Sequence, residues 1–458
     1  MTANQTTIAA TPTSQKQSSG SMAVVYSILN RIAMICLQMG TGILTARMLQ
    51  PQGRGELAAM ILWPLFLASI TTLGVPSSLI YFIRKRQSGR TSLIIHGFAI
   101  SVGFGVLAAV VSALLLPYWL HQYSPSVIHG AQLFLFTLPL CSIMLAGQAA
   151  LEAVGRFSAS NASQILVPAA TLAVLLTFYF THHLTPFTAA IAYVASAVPV
   201  AGLIVHALWR ERNPAATWHW SLDECRLLLS YGMRSYGIDL LGSLAERVDS
   251  VLVVSLLRPG AMGVYAVMLS LAGTLSVFRL AVSMVLFPRT AGLAPKAIIE
   301  LTEVAVRIAT MITALCAAAL CLVGPLLVGV LYGHVYLTAL GALRLLLLEA
   351  TISCAVTVLA QAFKSAGRPG LVTILQGIGL GLCIPLMLWL IPIYGVAGAA
   401  LALLLSTTAR FLFIYFGFPL FLHEPLPQLM PQMDDLRFVR SVLHSRLRRE
   451  PELPEAVQ

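Results

Sequence analysis

The chain has 458 residues, of which 58% are hydrophobic and only 10% are charged, and its mean hydropathy is +0.85. Since about a quarter of the residues of a soluble domain carry a charge, this composition excludes an ordinary soluble protein and indicates a polytopic membrane protein. The net charge of +11 is therefore interpreted through its distribution along the chain, which reports membrane orientation, and not as a sign of nucleic-acid binding.

The chain opens on a polar segment, residues 1–21, which is rich in Thr, Ser, Gln and Ala and predicts a disordered cytoplasmic tail. Beyond it, twelve mostly apolar stretches have the length of about 20 residues that a spanning helix needs. We therefore predict an all-α membrane protein with about twelve transmembrane helices. Their approximate ranges are 22–46, 57–82, 91–116, 127–151, 161–181, 186–209, 231–257, 261–288, 304–332, 338–363, 370–391 and 395–421.

The Lys and Arg residues predict the orientation, because cytoplasmic loops carry the excess of both. With the N-terminus in the cytoplasm, 20 of the 28 Lys and Arg residues lie on the inner side, and only Arg47, Arg54 and Arg258 lie on the outer side. The sequence therefore predicts a multi-pass protein with both termini in the cytoplasm.

The segment that follows the first predicted span occurs twice. Residues 46–60, ARMLQPQGRGELAAM, resemble residues 255–268, SLLRPGAMGVYAVM. The matched pairs, each 208 positions apart, are Leu49 and Leu257, Pro51 and Pro259, Gly55 and Gly263, Ala58 and Ala266, and Met60 and Met268. Since six spans separate the copies, both halves enter the membrane in the same direction, which predicts a parallel internal repeat with a substrate path between two six-helix lobes. The N-terminal lobe is expected at 22–209 and the C-terminal lobe at 231–421.

Two polar segments complete the predicted organisation. Residues 210–230 form a cytoplasmic linker, in which Ser221 and Glu224 have the spacing of a capping box and predict the start of a helix. Residues 422–458 form a basic cytoplasmic tail. Its leucines and arginines suit either a helix on anionic lipid or a solvated tail.

Enzymatic motifs are absent from the sequence. There is no GxxxxGK[ST] to hold nucleotide phosphates and no HExxH, and the ten histidines are scattered. The outer loops are too short for the catalytic residues of a membrane glycosyltransferase or ligase. The sequence therefore predicts a protein that is not an enzyme and that uses neither a cofactor nor a metal.

Five arginines fall within the predicted spans, where each would cost about 3 kcal/mol if it faced lipid at the bilayer centre. They are Arg31, Arg247, Arg279, Arg344 and Arg410. One interpretation is that acids on neighbouring helices pair with them and they only hold the bundle together. The other is a cationic cavity for an anionic substrate, because guanidinium binds phosphate oxygens bidentately. Asn30 and Gln38 could add hydrogen bonds to sugar hydroxyls.

Acidic residues also lie at membrane depth, where they mark proton and ion relays. Asp239, Glu246 and Asp249 are the candidates for proton or sodium coupling. Arg247 lies one and two positions from Glu246 and Asp249, too close in sequence to face either acid on one helix, so any salt bridge that these residues make has to be interhelical.

The repeated motif resembles that of a known family. ARMLQPQGRGELAAM is similar to the signature A-R-x-L-G-P-x-x-x-G of bacterial polysaccharide flippases, with Gln50 where Gly is common. Residues 231–273 resemble the seventh and eighth spans of that family, where a helix with an Asp is followed by G-x-Y-x-x-A. Over about residues 22–421 the chain resembles O-antigen flippases of the multidrug/oligosaccharidyl-lipid/polysaccharide flippase superfamily.

The resemblance implies a fold and an activity. The two lobes are expected to enclose a V-shaped cavity that is open to one side at a time. A polyprenyl pyrophosphate-linked oligosaccharide would cross from the cytoplasmic to the outer leaflet of the bacterial inner membrane for surface polysaccharide synthesis, and Arg31, Arg247 and Arg279 would receive its pyrophosphate. The expected partners are this lipid-linked oligosaccharide, membrane lipids and other polysaccharide assembly proteins. Twelve spans favour an O-antigen or exopolysaccharide repeat-unit flippase over a lipid II flippase, which often carries fourteen.

Three alternatives stay open at this level. A multidrug exporter of the same superfamily would favour an acidic or apolar cavity. A membrane-embedded glycan polymerase or ligase would need a larger outer loop. A scaffold of the polysaccharide machinery is supported only by the basic tail.

Overall fold

The computed structural model describes residues 16–86, 89–211 and 220–429. For residues 16–28, 238, 239 and 288 it describes the backbone alone. The described ranges consist mainly of helices and contain no strand. This is expected in a membrane, because no water is present to bond the backbone N–H and C=O groups and a helix pairs these groups internally. The α-helices are α1 (Lys16–Thr71), α2 (Val75–Lys85), α3 (Arg90–Trp119), α4 (Pro125–Leu135), α5 (Leu138–Ala153), α6 (Phe157–Phe180), α7 (Pro186–Arg210), α8 (Leu222–Leu256), α9 (Pro259–Gly273), α10 (Ser276–Thr290), α11 (Pro295–Leu331), α12 (Leu340–Ser365) and α13 (Pro369–Gly417). A 3₁₀-helix at His334–Ala339 precedes α12, and a π-helical turn at Phe418–Leu422 follows α13.

The apolar helices confirm a multi-pass, all-α membrane architecture. Seven helices in the described ranges are long and apolar enough to cross a membrane, or nine if the bent pairs α4–α5 and α9–α10 each count as one span. The predicted number of twelve is not tested by this criterion and stays a prediction.

Two of the seven helices are much longer than a single crossing. α1 has 56 residues and α13 has 49, whereas about 20 residues span the hydrocarbon core. Each contains one residue with non-helical backbone angles, Gln50 in α1 and Gly395 in α13. The sequence predicted a loop at residues 47–56, but the helix resumes directly at Pro51, because proline is well suited to the first position of a helix.

Helix ends gather at two levels, which are named here after one residue of each. The Pro51 end consists of residues 47–56, 119–126, 256–260 and 332–339, which side-chain and backbone contacts join. The Arg86 end consists of residues 84–86, 89–90, 152–157 and 220–224, which contacts of Arg84 with Glu152 and of Arg86 with Glu224 join. Helices α1–α7 are the first half and α8–α13 the second half. The most extensive contact between the halves is that of α1 with α9, which are the helices that carry the duplicated motif.

The predicted start of a helix in the linker is confirmed at the Arg86 end. Ser221 is the N-cap of α8, and its hydroxyl accepts a hydrogen bond from the backbone N–H of Glu224 at 3.4 Å. The Glu224 carboxylate does not complete a capping box but instead accepts from the Ser92 hydroxyl at 2.5 Å and lies 3.1 Å from Nδ1 of the buried His96. The first turn of α8 is thereby fastened to α3. Residues 1–15, 212–219 and 430–458, which include most of the predicted tails and part of the predicted linker, lie outside the described ranges.

The next turns of α8 pack closely on α2, and the two backbones approach each other directly at Gly74 and Gly232. A Cβ atom added to Gly74 would lie 2.3 Å from the carbonyl oxygen of Gly232. The Ser78 hydroxyl donates to the Leu228 carbonyl at 2.7 Å, and Tyr81 stacks on Tyr231. The beginning of α8 therefore packs on helices of the first half, although α8 follows the linker in sequence and is counted with the second half.

We predict that Gly74→Ala lowers the free energy of unfolding by about 2 kcal/mol more than Gly155→Ala does, as expected for overpacking. Both glycines have positive φ, +71° and +85°, so alanine is strained at both positions. Only at Gly74 would the new methyl group meet a backbone carbonyl, because no atom lies within 4 Å of a Cβ at Gly155. Unfolding of the purified protein in detergent, followed by intrinsic fluorescence, measures the difference. Equal losses for the two variants would contradict the close packing of α2 on α8.

Candidate functional site

Two cavities lie side by side in the helical bundle, and α8 forms a wall of both. The first cavity has a volume of about 710 Å³ and the second about 520 Å³. Glu246 lines both cavities, Arg247 lines the first, and Asp249 lines the second. Glu246 and Asp249, three positions apart, share the face of α8 that borders the second cavity, whereas Arg247 points into the first.

The first cavity is lined mainly by helices of the first half, with α8 and α9 along one side. Its neutral polar lining comes from nine side chains with hydroxyl or carboxamide groups. They are Gln38, Thr41, Ser69, Thr137, Gln148, Thr171, Tyr193, Ser243 and Ser270. The titratable groups among its described lining residues are Arg54, Cys141, Tyr193, Glu246 and Arg247. The cavity thus combines two cations with one carboxylate and many neutral hydrogen-bonding groups.

Arg54 is a cation of the first cavity that forms no ion pair with another described residue. Nε and Nη1 of its guanidinium are buried and have no hydrogen-bond partner in the described ranges. The acid that follows two residues later, Glu56, is engaged with Gln52 through a hydrogen bond of 2.9 Å. Two phenols of the second half, Tyr332 and Tyr336, lie close enough for the charge of Arg54 to act on them. Buried donors of this kind are unfavourable unless a ligand or water accepts from them.

The second cavity lies within the second half and contains both signs of charge. Its charged lining residues are Glu246, Asp249, Arg279, Glu349 and Arg410. The Arg279 guanidinium reaches Ser353 at 3.4 Å. The Arg410 side chain lies across Gly379, where an added Cβ would be 2.3 Å from its Cδ, and its buried Nε has no partner among the described residues.

Two of the three acids of the second cavity, Asp249 and Glu349, accept hydrogen bonds from hydroxyl groups. Asp249 is only 5% exposed, and its Oδ2 accepts from the buried Tyr265 hydroxyl at 2.7 Å. The Glu349 carboxylate accepts from the Thr407 hydroxyl at 2.8 Å, and Arg279 and Arg410 are its cationic neighbours. The second cavity therefore holds three carboxylates and two guanidinium groups, whereas the first holds two guanidinium groups and one carboxylate.

The structure separates the residues that the sequence singled out. Gln38 and Arg247 line the first cavity, while Arg279 and Arg410 line the second. Three further residues, Asn30, Arg31 and Arg344, line neither, and both of these arginines are exposed. The Asp239 side chain lies outside the described residues. None of the five arginines in the spans forms a salt bridge within 4.0 Å with another described residue, so the interhelical ion pairs of the structural interpretation are not observed for them.

Sequence reasoning placed Arg54 in an outer loop and missed its place in the first cavity. The signal that could have found it is Pro51, which permits a helix to restart at once and so puts Arg54 in a first helical turn. No group of three or more His, Cys, Asp or Glu side chains in the described ranges is arranged to hold a metal ion.

The sequence belongs with a known family over most of its length. Residues 44–340 match the family described as polysaccharide biosynthesis protein. The chain belongs to this family. The family resemblance drawn from the repeated motif is thus confirmed. No curated protein sequence matches the chain significantly.

Solved structures share the fold of this family member at low sequence identity. The inward closed conformation of the lipid II flippase MurJ superposes with a TM-score of 0.74 at 14% identity, covering 92% of each chain. An inward-facing multidrug resistance MATE family transporter of the MOP superfamily gives 0.69 at 16% identity, covering 84% of this chain and 93% of the other. A MOP superfamily transporter from Pyrococcus furiosus gives 0.55 at 14% identity, covering 86% and 93%. The chain therefore shares its fold with these three proteins.

We predict that Tyr265→Phe lowers the free energy of unfolding by about 1–3 kcal/mol, since it leaves the Asp249 carboxylate without its hydroxyl donor in a buried site. Tyr123→Phe is the matched control, because the buried Tyr123 hydroxyl has no partner among the described residues and its removal should be nearly neutral. Thermal unfolding in detergent without added substrate compares the two. Similar stabilities of both variants would show that the hydrogen bond to Asp249 does not hold the second cavity together.

Proposed function

We propose that the protein is a flippase of the bacterial inner membrane that moves a polyprenyl pyrophosphate-linked oligosaccharide from the cytoplasmic to the outer leaflet for surface polysaccharide synthesis. In this proposal the Arg86 end faces the cytoplasm, because Lys and Arg concentrate there, and the Pro51 end faces outward. Helices α1–α7 and α8–α13 act as the two lobes. Membership of the polysaccharide biosynthesis protein family supports the substrate class.

The observation that carries the proposal is the pair of cations in the first cavity, Arg54 and Arg247. Neither forms a salt bridge within the described ranges, and two nitrogens of Arg54 are buried without partners there. Guanidinium groups in a membrane-embedded bundle favour an anion with several oxygens, because each oxygen can accept a charge-assisted hydrogen bond. A pyrophosphate supplies this geometry and the charge.

The remaining lining suits the sugar that follows the pyrophosphate. Hydroxyl and carboxamide groups such as those of Gln38, Thr41 and Gln148 both donate and accept hydrogen bonds, as sugar hydroxyls do. A volume of about 710 Å³ lies within the range of about 300–1,000 Å³ that holds small ligands. The cavity therefore has room for the pyrophosphate and the first sugars, and the polyprenyl chain would remain in lipid.

The second cavity is the candidate site of coupling in this proposal. Glu246 and Asp249 remain the candidates for carrying a proton or sodium ion, since intramembrane acids mark such relays. Glu246 borders both cavities, which brings a coupling carboxylate next to the substrate site. The third candidate from the sequence, Asp239, lies on α8 two turns before Glu246, and its coupling role stays a prediction from the sequence.

A drug exporter with the same fold is the principal rival. An exporter of cationic drugs needs acidic or apolar surfaces, whereas the first cavity holds two arginines against one glutamate. The excess of positive charge therefore favours an anionic substrate.

The test is made in cells that lack the chromosomal gene. We predict that Arg54→Gln and Arg247→Gln each reduce surface polysaccharide about tenfold or more, because a hydrogen bond to a charged group contributes about 1.5–3 kcal/mol. Polyprenyl-linked oligosaccharide should accumulate on the cytoplasmic leaflet. Arg344→Gln is the matched control, since Arg344 is exposed and lines neither cavity, and it should support normal synthesis.

All three variants have to reach the membrane in equal amounts for this comparison. Normal amounts of surface polysaccharide with Arg54→Gln and Arg247→Gln would show that the first cavity does not bind the substrate. Unchanged glycolipid with altered drug sensitivity in the deletion strain would favour the exporter, and accumulation on the outer leaflet would favour a polymerase or ligase.

A further inference from the structure

A smaller cavity lies in the first half between α3 and α7, and its lining residues are separate from those of the first and second cavities. Its volume is about 170 Å³, and seven of its ten lining residues are aliphatic or aromatic. It is called the α3–α7 cleft here. The residues that define it are Arg90, Ile94 and Phe98 on α3 and Val205, Leu208 and Trp209 on α7.

The packing of the first half leaves this cleft open. α3 and α7 both pack extensively on α5 but not on each other, and Val154 at the end of α5 lines the gap between them. Ile94 and Leu208 are buried, whereas Val205 and Trp209 are exposed. The volume is below the range of about 300–1,000 Å³ that holds whole small ligands. The cleft therefore suits one part of a molecule whose remainder stays in the bilayer.

Positive charge is in excess where the cleft meets the Arg86 end. Arg90 is exposed and forms no ion pair with another described residue, and its Nε donates to the Arg86 carbonyl at 3.2 Å. The acid that lines the cleft, Glu211, lies 3.1 Å from Nη1 of Arg156, so the charge of its carboxylate is offset. The adjacent Arg210 is exposed as well. An anion near Arg90 therefore meets an attractive field.

The cleft lies where a bilayer has its headgroups. Trp209, in the last turn of α7, is 54% exposed, and tryptophan is enriched at the boundary between lipid and water. From this level the apolar part of the cleft extends one to two turns along each helix, to Phe98 and Val205. A phospholipid has the same arrangement, with a phosphate at the interface and acyl chains directed into the membrane.

We propose that the α3–α7 cleft binds an anionic phospholipid of the cytoplasmic leaflet, with part of one acyl chain between the helices and the headgroup phosphate at Arg90. The inference goes beyond the proposed function and takes from it only the orientation of the protein. Guanidinium groups bind phosphate oxygens through charge-assisted hydrogen bonds, and basic pockets between helices on the cytoplasmic side bind anionic lipid headgroups. A zwitterionic headgroup would bring its ammonium group toward these arginines, so an anionic headgroup is preferred.

The headgroup contact is tested by native mass spectrometry of the full-length protein in detergent, titrated with phosphatidylglycerol or phosphatidylethanolamine. Phosphatidylglycerol should bind more tightly, and Arg90→Gln should weaken its binding about fivefold, as expected for one cation near a phosphate. Arg289→Gln is the matched control, because it removes the same charge from an exposed arginine of the second half and should leave the affinity unchanged. Equal affinity for both lipids, or equal losses in both variants, would overturn the proposal.

The apolar part of the cleft is tested with all charges retained. Val205→Trp fills the cleft and should weaken binding of phosphatidylglycerol about fivefold or more, because the acyl chain loses its place. Leu203→Trp is the matched control, since Leu203 is exposed on the same helix but does not line the cleft. The same affinity in both variants would show that phosphatidylglycerol is held by surface charge alone, and this would contradict a bound acyl chain.

A measurement on the unaltered protein covers the case in which these variants do not fold. Phosphatidylglycerol with a photoreactive acyl chain should cross-link to residues 90–98 and 205–211, and excess unlabelled phosphatidylglycerol should prevent the reaction. Cross-linking spread evenly over the lipid-facing helices would indicate ordinary boundary lipid and overturn the site. More effective competition by a polyprenyl phosphate would assign the cleft to the lipid of the transport substrate instead. These measurements include no transport step, so their failure would leave the proposed function intact.

Discussion

Charged groups inside a bilayer-spanning bundle have to be paired or solvated, and this constraint shapes both cavities. In the second cavity Glu349 lies among Arg279 and Arg410, so opposite charges partly neutralise one another. In the first cavity Arg54 keeps two buried nitrogens without partners among the described residues. An arginine held in this way is unfavourable for the empty protein. An anion that enters the first cavity would accept hydrogen bonds from these unpartnered nitrogens, and the bonds would contribute to its binding free energy. The first cavity is for this reason the stronger candidate for a substrate site.

The helix α8 forms a wall of both cavities and contacts helices of both halves. Its first turns pack on α2 and α3 through Glu224 and Gly232, so they belong with the first half. Its last turns carry Val253 and Val254 into the core that α13 shares. The residues between them form the wall of both cavities. A change in the angle between the halves therefore has to act on the part of α8 that carries Glu246, Arg247 and Asp249.

The class of fold and the duplicated motif could be predicted from the sequence. The direction in which individual arginine side chains point could not. Apolar stretches and the Pro51 and Pro259 copies are local patterns, and they predicted the all-α membrane architecture. Arg31 and Arg344 were assigned to a cavity because of their depth alone, but the helices that carry them are apolar on most faces, so no stripe reveals which side meets the interior. Arg54 was missed because a ten-residue loop was expected where a single residue, Gln50, makes the turn.

Under the proposed function, the charge of Glu246 acts on ligands in both cavities, because this residue lines both. An anion that enters the first cavity brings negative charge beside this carboxylate, and a cation bound in the second cavity offsets the repulsion between the two. By linkage, a proton or cation bound at Glu246 or Asp249 increases the affinity of the first cavity for the anion by the same factor. Coupling between substrate and ion then needs no long pathway, because one turn of α8 separates the two sites.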